Sequence, residues 1–116
     1  MDTANSSEKS CVMKRVGSKM FLKKGFEQEY KKRHDEIWPE LVKLLSDTGI
    51  REYSIFLDSE TLILFAFFKI HDTVALESLP SHPIMKKWWS HMKDIMETNP
   101  DNSPVNISLS EVFYLP

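Results

Sequence analysis

The segment Tyr30-Lys31-Lys32-Arg33-His34-Asp35-Glu36-Ile37-Trp38-Pro39-Glu40 sets a tyrosine and a histidine one helical turn apart on a face that is otherwise apolar. At about 100° per residue, Phe26, Tyr30, His34, Ile37, Trp38, Leu41, Leu44 and Leu45 fall within an arc of roughly 120°. The imidazole is thereby carried towards an interior or a cleft and away from bulk water. With an ordinary pKa of about 6.5 it gives or takes a proton at neutral pH, which makes His34 the candidate catalytic group. Position alone fits a core histidine satisfied by a backbone carbonyl slightly better.

Trp88-Trp89 is the second signal. Sugars present C–H faces that pack on aromatic rings and leave hydroxyls for hydrogen bonds at the rim, so adjacent tryptophans that cannot both point inward suit a carbohydrate platform. The pair also fits one ring in the core and one in a subunit interface. Tyr53, opening a strand, and Tyr30 are candidate hydroxyls for the same ligand, or core-edge caps. Trp38 and Phe26 are assigned to packing.

Other chemistry has no visible carrier. The chain contains no Gly-x-Ser-x-Gly, no paired cysteines, no glycine-rich phosphate loop and no dinucleotide fingerprint. His71, His82 and His91 lie far from His34 on other elements without ligand spacing, so they read as surface residues and no metal is expected. Glu36 and Glu40 fall on the charged side of the helix. What remains is proton transfer on a small bound molecule, without a cofactor.

The elements that must position these groups follow from periodicity. Residues 1–11 read as a flexible polar tail and residues 12–116 as one domain. Val12 to Leu22 is strand-like, with Gly17-Ser18 weakening its centre or marking a bulge. A long helix is predicted from Gly25 to about Thr48, kinked at Pro39 and capped by Gly49. Tyr53 to Leu57 and Leu62 to Ile70 form a hairpin. A short helix near Asp72 to Leu79 ends at Pro80, a longer one spans about Pro83 to Glu97, and a last strand covers about Leu109 to Tyr114. Asn99-Pro100-Asp101-Asn102-Ser103-Pro104 between them is too stiff to be a simple linker. This order is the α+β ferredoxin-like βαββαβ pattern. The strand Leu62 to Ile70 is apolar on both faces, and one helical layer covers only one of them, so a second sheet from a homodimer partner is expected.

Composition sets the bounds. At 116 residues and 13.6 kDa the chain can close one core without disulfides. Fifteen basic against 17 acidic residues give a net charge of −2, which argues against nucleic acid. The cluster Lys31-Lys32-Arg33 is interrupted by Asp35 and Glu36 and reads as a solvated helix face. Cys11 is the single cysteine, and no secretory or membrane-spanning run is visible, so a reducing cytoplasm is the expected location. The sequons at Asn5 and Asn106 then carry no weight.

At these residues the chain closely resembles the L-rhamnose mutarotase family. The matching segments are Glu29-Tyr30, Arg33-His34, Ile37 to Leu41, Tyr53 with Leu57-Asp58, Leu64 to Ala66, Trp88-Trp89, Asn99 to Pro104 and Glu111 to Pro116, within about Arg15 to Pro116. The resemblance implies a dimeric α+β barrel that interconverts the α and β anomers of L-rhamnose or a similar 6-deoxy sugar, L-fucose included. It makes His34 the proton donor, here to the ring oxygen, and Tyr30, Tyr53, Trp88 and Trp89 the sugar-binding groups. Lys24-Gly25 at the helix entry and Gly17-Ser18 in the first strand depart from the family pattern but touch no site position. Two other classes stay open on the residues alone: haem-binding or cofactor-free oxygen chemistry, and a non-catalytic sugar-binding module.

Overall fold

The computed structural model describes residues 13–116; the expected tail, Cys11 and Val12 lie outside them. Strand β1 (Lys14–Phe21) is followed by helices α1 (Glu27–Asp35) and α2 (Pro39–Thr48), strands β2 (Arg51–Asp58) and β3 (Ile63–Ile70), a 3₁₀ segment (Thr73–Ser81), helix α3 (Pro83–Met92) and strand β4 (Ile107–Leu109). The strands form one antiparallel sheet in the order β2-β3-β1-β4, the ferredoxin-like α+β arrangement.

Strand alternation sorts the sheet into two unlike faces. Met20, Leu64, Ala66 and Ile70 are buried under the helices, together with Leu41, Trp88 and Met92. Phe56 and Phe65 stand on the opposite face, where Phe56 keeps 69% of its surface exposed, with the open Ile107 and Leu109 of β4 on the same face across β1. β3 is thus apolar on both sides, and within one chain only one side is covered.

The predicted long helix is two helices. Pro39 has no amide to offer and pushes the preceding residue out of the helical region, so Trp38 takes ψ 135° and Pro39 becomes the first residue of α2. Phe26, expected to pack, is 36% exposed at the N-terminus of α1. α2 ends at Gly49, with φ +103°, as expected.

Gly17-Ser18 neither breaks nor bulges β1, which keeps register with β3 from Lys14↔Ile70 to Phe21↔Ile63. The irregularity lies in β2, where Arg51↔Lys69 is followed by Ser54↔Phe67 and Glu52 has φ +52°. One extra residue there flips the alternation. Arg51 pairs on the open face, while Tyr53, two residues on, meets the Phe68 ring at 5.4 Å on the helix side.

Three further boundaries differ from expectation. The short helix is a 3₁₀ segment that continues through Pro80, capped by the Asp72 carboxylate on the Val74 amide at 2.9 Å. α3 stops at Met92, and the chain then lies along β1: the Lys23 amide donates to the Ile95 carbonyl and the Glu97 amide to the Phe21 carbonyl. Ile95 and Met96 are buried, as their helical spacing suggested, but Ile95 lies in the turn that follows the helix and Met96 in a bridge to Leu22. β4 is three residues long, and residues 110–116 leave the sheet with Val112, Phe113 and Leu115 exposed. This arm is anchored by Arg15, which donates to both Glu111 carboxylate oxygens at 2.6 and 2.8 Å and lies 3.4 Å from the Tyr114 ring centre.

Arg33 corrects the reading of the basic cluster. Its side chain is 15% exposed and donates to Glu29 at 2.7 Å, to the Asp94 carboxylate at 2.8 Å and to the His91 carbonyl at 2.7 Å. It ties α1 to the end of α3, the two helices that carry the candidate site.

Candidate active site

His34 occupies the last turn of α1. Its Nδ1 lies 3.1 Å from the Tyr30 carbonyl oxygen, which can only accept, so Nδ1 carries the hydrogen and Nε2 is the titrating nitrogen. The i,i+4 spacing also stacks the imidazole on the Tyr30 ring, 4.3 Å between centroids, and sets it edge-on to Trp88 at 5.4 Å. Trp88 is buried and held in turn by Trp38 at 5.1 Å and His91 at 5.5 Å. Trp89 is half-buried at the edge of α3. The carbonyl-satisfied histidine and the cavity histidine are therefore one residue: the bond to Tyr30 uses one nitrogen and leaves the other.

Tyr30, His34, Tyr53, Trp88 and Trp89 line one cavity, so all five candidate residues come together from three elements. A wider depression of about 950 Å³ includes the same five side chains. The cavity has an apolar side made by Met20, Ile55, Met85, Met92 and Met96, and a polar edge at Thr98 and Asn102. None of these seven was singled out for the site. The methionines are indistinguishable by type from core, and Asn102 is a common turn residue.

Electrostatics separate the groups. Removal from water lowers the His34 pKa below its usual 6.5, against smaller opposing effects of the Tyr30 carbonyl and Asp35. Burial pushes the Tyr30 phenol far up, with Tyr53 adding to it, and burial also raises Tyr53. Tyr53 as a whole residue keeps 43% of its surface, so the desolvation concerns its hydroxyl end. At neutral pH the site holds an uncharged imidazole and two protonated phenols.

Among the described residues no three His, Cys, Asp or Glu side chains cluster where they could hold a metal ion. His82 caps α3, its Nδ1 accepting from the Ile84 amide at 3.2 Å.

A family model described as L-rhamnose mutarotase matches residues 15–115. The chain is 62% identical over 96 residues to an L-rhamnose mutarotase of Flavobacterium johnsoniae, covering 83% of this chain and 90% of that one. It is 56% identical over 103 residues to one of Phocaeicola vulgatus, covering 89% and 99%. Among solved structures, the L-rhamnose mutarotase of Formosa agariphila superposes with a TM-score of 0.83 at 54% identity, covering 89% of this chain and 99% of that one. A conserved protein from Methanosarcina mazei, 16% identical with a TM-score of 0.56 over 89% and 96% of the two chains, shares the fold alone. Sequence and fold agree along nearly all of the described residues, and the chain belongs to the L-rhamnose mutarotase family.

Proposed function

We propose that the cavity around His34 interconverts the α and β anomers of L-rhamnose by opening and reclosing the pyranose ring. The observation that carries this reading is the single titratable nitrogen, Nε2 of His34, in a cavity bounded by two tyrosines and a tryptophan pair. Ring opening needs a proton taken from the anomeric hydroxyl and one given to the ring oxygen.

The pKa shifts favour the reverse of the assignment that makes His34 the donor. A desolvated, neutral imidazole is ready to accept, whereas tyrosines raised by burial are poor bases and remain O–H donors. His34 Nε2 therefore takes the O1 proton, the O1 electron pair forms the carbonyl, and the C1–O5 bond breaks. The departing O5, a stronger base as it gains alkoxide character than any phenolate, takes the Tyr53 proton. Rotation about C1–C2 presents the other carbonyl face; closure returns both protons and restores the site. Tyr30 positions the imidazole through its carbonyl and stacked ring and offers its hydroxyl to the sugar. Trp88 and Trp89 hold the C–H face, and the methionine side accepts the 6-deoxy methyl.

A second copy of the chain covers the open sheet face in this proposal. Phe56, Phe65, Ile107 and Leu109 form an exposed apolar surface, and the arm bearing Val112, Phe113 and Leu115 leaves its edge, a pattern that suits a homodimer. No helix among the described residues is long and apolar enough to cross a membrane. With a net charge of −2, the proposed setting is the cytoplasm, with a free sugar as partner and neither nucleic acid nor membrane.

Exchange NMR of the L-rhamnose anomeric protons tests the reaction. The protein accelerates interconversion over buffer, and His34→Asn removes about 10²–10⁴-fold of that acceleration. A His34→Asn variant with the unmodified rate defeats the assignment.

A further inference from the structure

Resting on the anomer-exchange reading, we infer that Asn102 is a specificity residue whose carboxamide recognises a pyranose hydroxyl away from the reacting C1–O5 bond. The turn that carries it is built to hold one conformation. Thr98 and Pro104 bridge its ends, the Asn99 amide donates to the Ser103 carbonyl at 2.8 Å, and the Asn102 amide donates to the Asn99 carbonyl at 2.9 Å. The Asp101 carboxylate accepts from the Ser103 amide at 3.0 Å, and Asn99 Nδ2 donates to Ser103 Oγ at 3.1 Å. These bonds set Asn102 at φ +72°, a left-handed conformation that asparagine tolerates better than most residues.

The side chain so placed lines the cavity with His34, Tyr53 and the tryptophan pair. Among the described residues it makes one long contact, Nδ2 to Ser90 Oγ at 3.4 Å, which orients the amide without saturating it. Oδ1 and a second N–H remain for a ligand. No other residue lining that cavity presents a carboxamide; the wider depression adds Asn106 and Asn99, whose Nδ2 is already given to Ser103 Oγ. The imidazole and the Tyr53 hydroxyl are engaged in proton transfer, and the tryptophans bind by their faces. A sugar hydroxyl both gives and accepts a hydrogen bond, and a carboxamide answers both roles without charge. Asn102 stands on the turn after α3, whereas His34 stands on α1. The hydroxyls at C2, C3 and C4, whose configuration distinguishes one 6-deoxyhexose from another, are therefore its targets.

The test compares wild type, Asn102→Gly and Asn102→Asp by anomer-exchange NMR on L-rhamnose and its 2-, 3- and 4-deoxy analogues. Glycine keeps the left-handed backbone and removes the amide; aspartate keeps the shape and Oδ1 but removes the donor. Both variants should lose about tenfold or more in kcat/KM on L-rhamnose, chiefly through KM, as expected for one hydrogen bond in a desolvated site. On one deoxy analogue, the sugar lacking the recognised hydroxyl, wild type and Asn102→Gly should agree within about twofold. A uniform loss on all four sugars would assign Asn102 a loop-building role and overturn the inference, as would an Asn102→Gly variant with unchanged kcat/KM on L-rhamnose. A wild-type protein that leaves the exchange rate at the buffer value overturns the anomer-exchange reading and this inference with it; an active wild type confines any failure to Asn102. Thermal unfolding of each variant verifies that the fold persists.

Discussion

The pH dependence of anomer exchange is where the proposed direction of proton flow is most exposed to refutation. Burial holds the His34 pKa below 6.5, and the Nδ1 bond to the Tyr30 carbonyl leaves Nε2 to titrate. If neutral His34 is the base, kcat/KM is flat at and above pH 7 and falls about tenfold per pH unit once the pH drops below the imidazole pKa. The inflection lies below 6.5, and His34→Asn abolishes it along with about 10²–10⁴-fold of the rate. The same group leaves a mark on stability. Its folded pKa is depressed relative to the unfolded chain, so between the two values the unfolded state binds more protons. The contribution is complete above about pH 6.5 and is lost as pH falls through the folded pKa. Exchange NMR from pH 5 to 8, with the buffer-catalysed rate subtracted, and urea unfolding over the same range measure the two effects. A kcat/KM that instead declines as pH rises from 6 to 8 would make imidazolium the active form and return His34 to the donor role.

Tyr53→Phe keeps the ring against Phe68 and removes only the hydroxyl; kcat should fall about 10²-fold or more with little change in KM, measured by the same NMR exchange. Arg33→Ala removes the tie between α1 and α3. Because its carboxylate partners are 40% and 60% exposed, the expected loss is about 1–2 kcal/mol in urea unfolding, with Arg33→Lys recovering only part because an ammonium cannot fork between Asp94 and Glu29. Phe65→Asp, on the uncovered sheet face, should convert a dimer to monomer in sedimentation equilibrium; a monomeric wild type would remove the two-sheet proposal.

What could be read in the residues was the part where residue type conflicts with environment. A histidine on an apolar helical face and two adjacent tryptophans are conspicuous because solvation alone does not account for them, and all of the candidate side chains meet in one cavity. Element order was equally legible, since strand and helix periods differ. Arg33 and Asn102 were not: arginine in a charged run and asparagine in a turn are ordinary there, and only the three-dimensional surroundings reveal a tie or a place in the cavity wall. Ile95 and Met96 show a different limit. Their spacing suits a helix face, yet a buried turn followed by a bridge to Leu22 satisfies the same apolar demand, and periodicity cannot choose between the two over so few residues.

The site is assembled at the two places where regular structure fails. Pro39 separates α1 from α2, which ends the first helix just beyond His34 and lets Trp38 turn in against Trp88. The extra residue between Arg51 and Ser54 reverses the alternation of β2 and brings Tyr53 to the helix side. An uninterrupted helix would carry Trp38 onward along its own axis, and an unbulged strand would set Tyr53 on the same face as Arg51. Arg33 then fixes α1 to α3 from outside the cavity, so that the distance between imidazole and tryptophan is set by charged hydrogen bonds and not by the apolar packing alone. Deleting Glu52 removes the bulge and its extra residue together, so Arg51 should stay opposite Lys69 and Tyr53 should stay on the helix side, opposite Phe68. Anomer exchange should persist along with the β3 pairing beyond Ser54, which amide hydrogen exchange reports strand by strand; its loss with that pairing intact would refute the register argument.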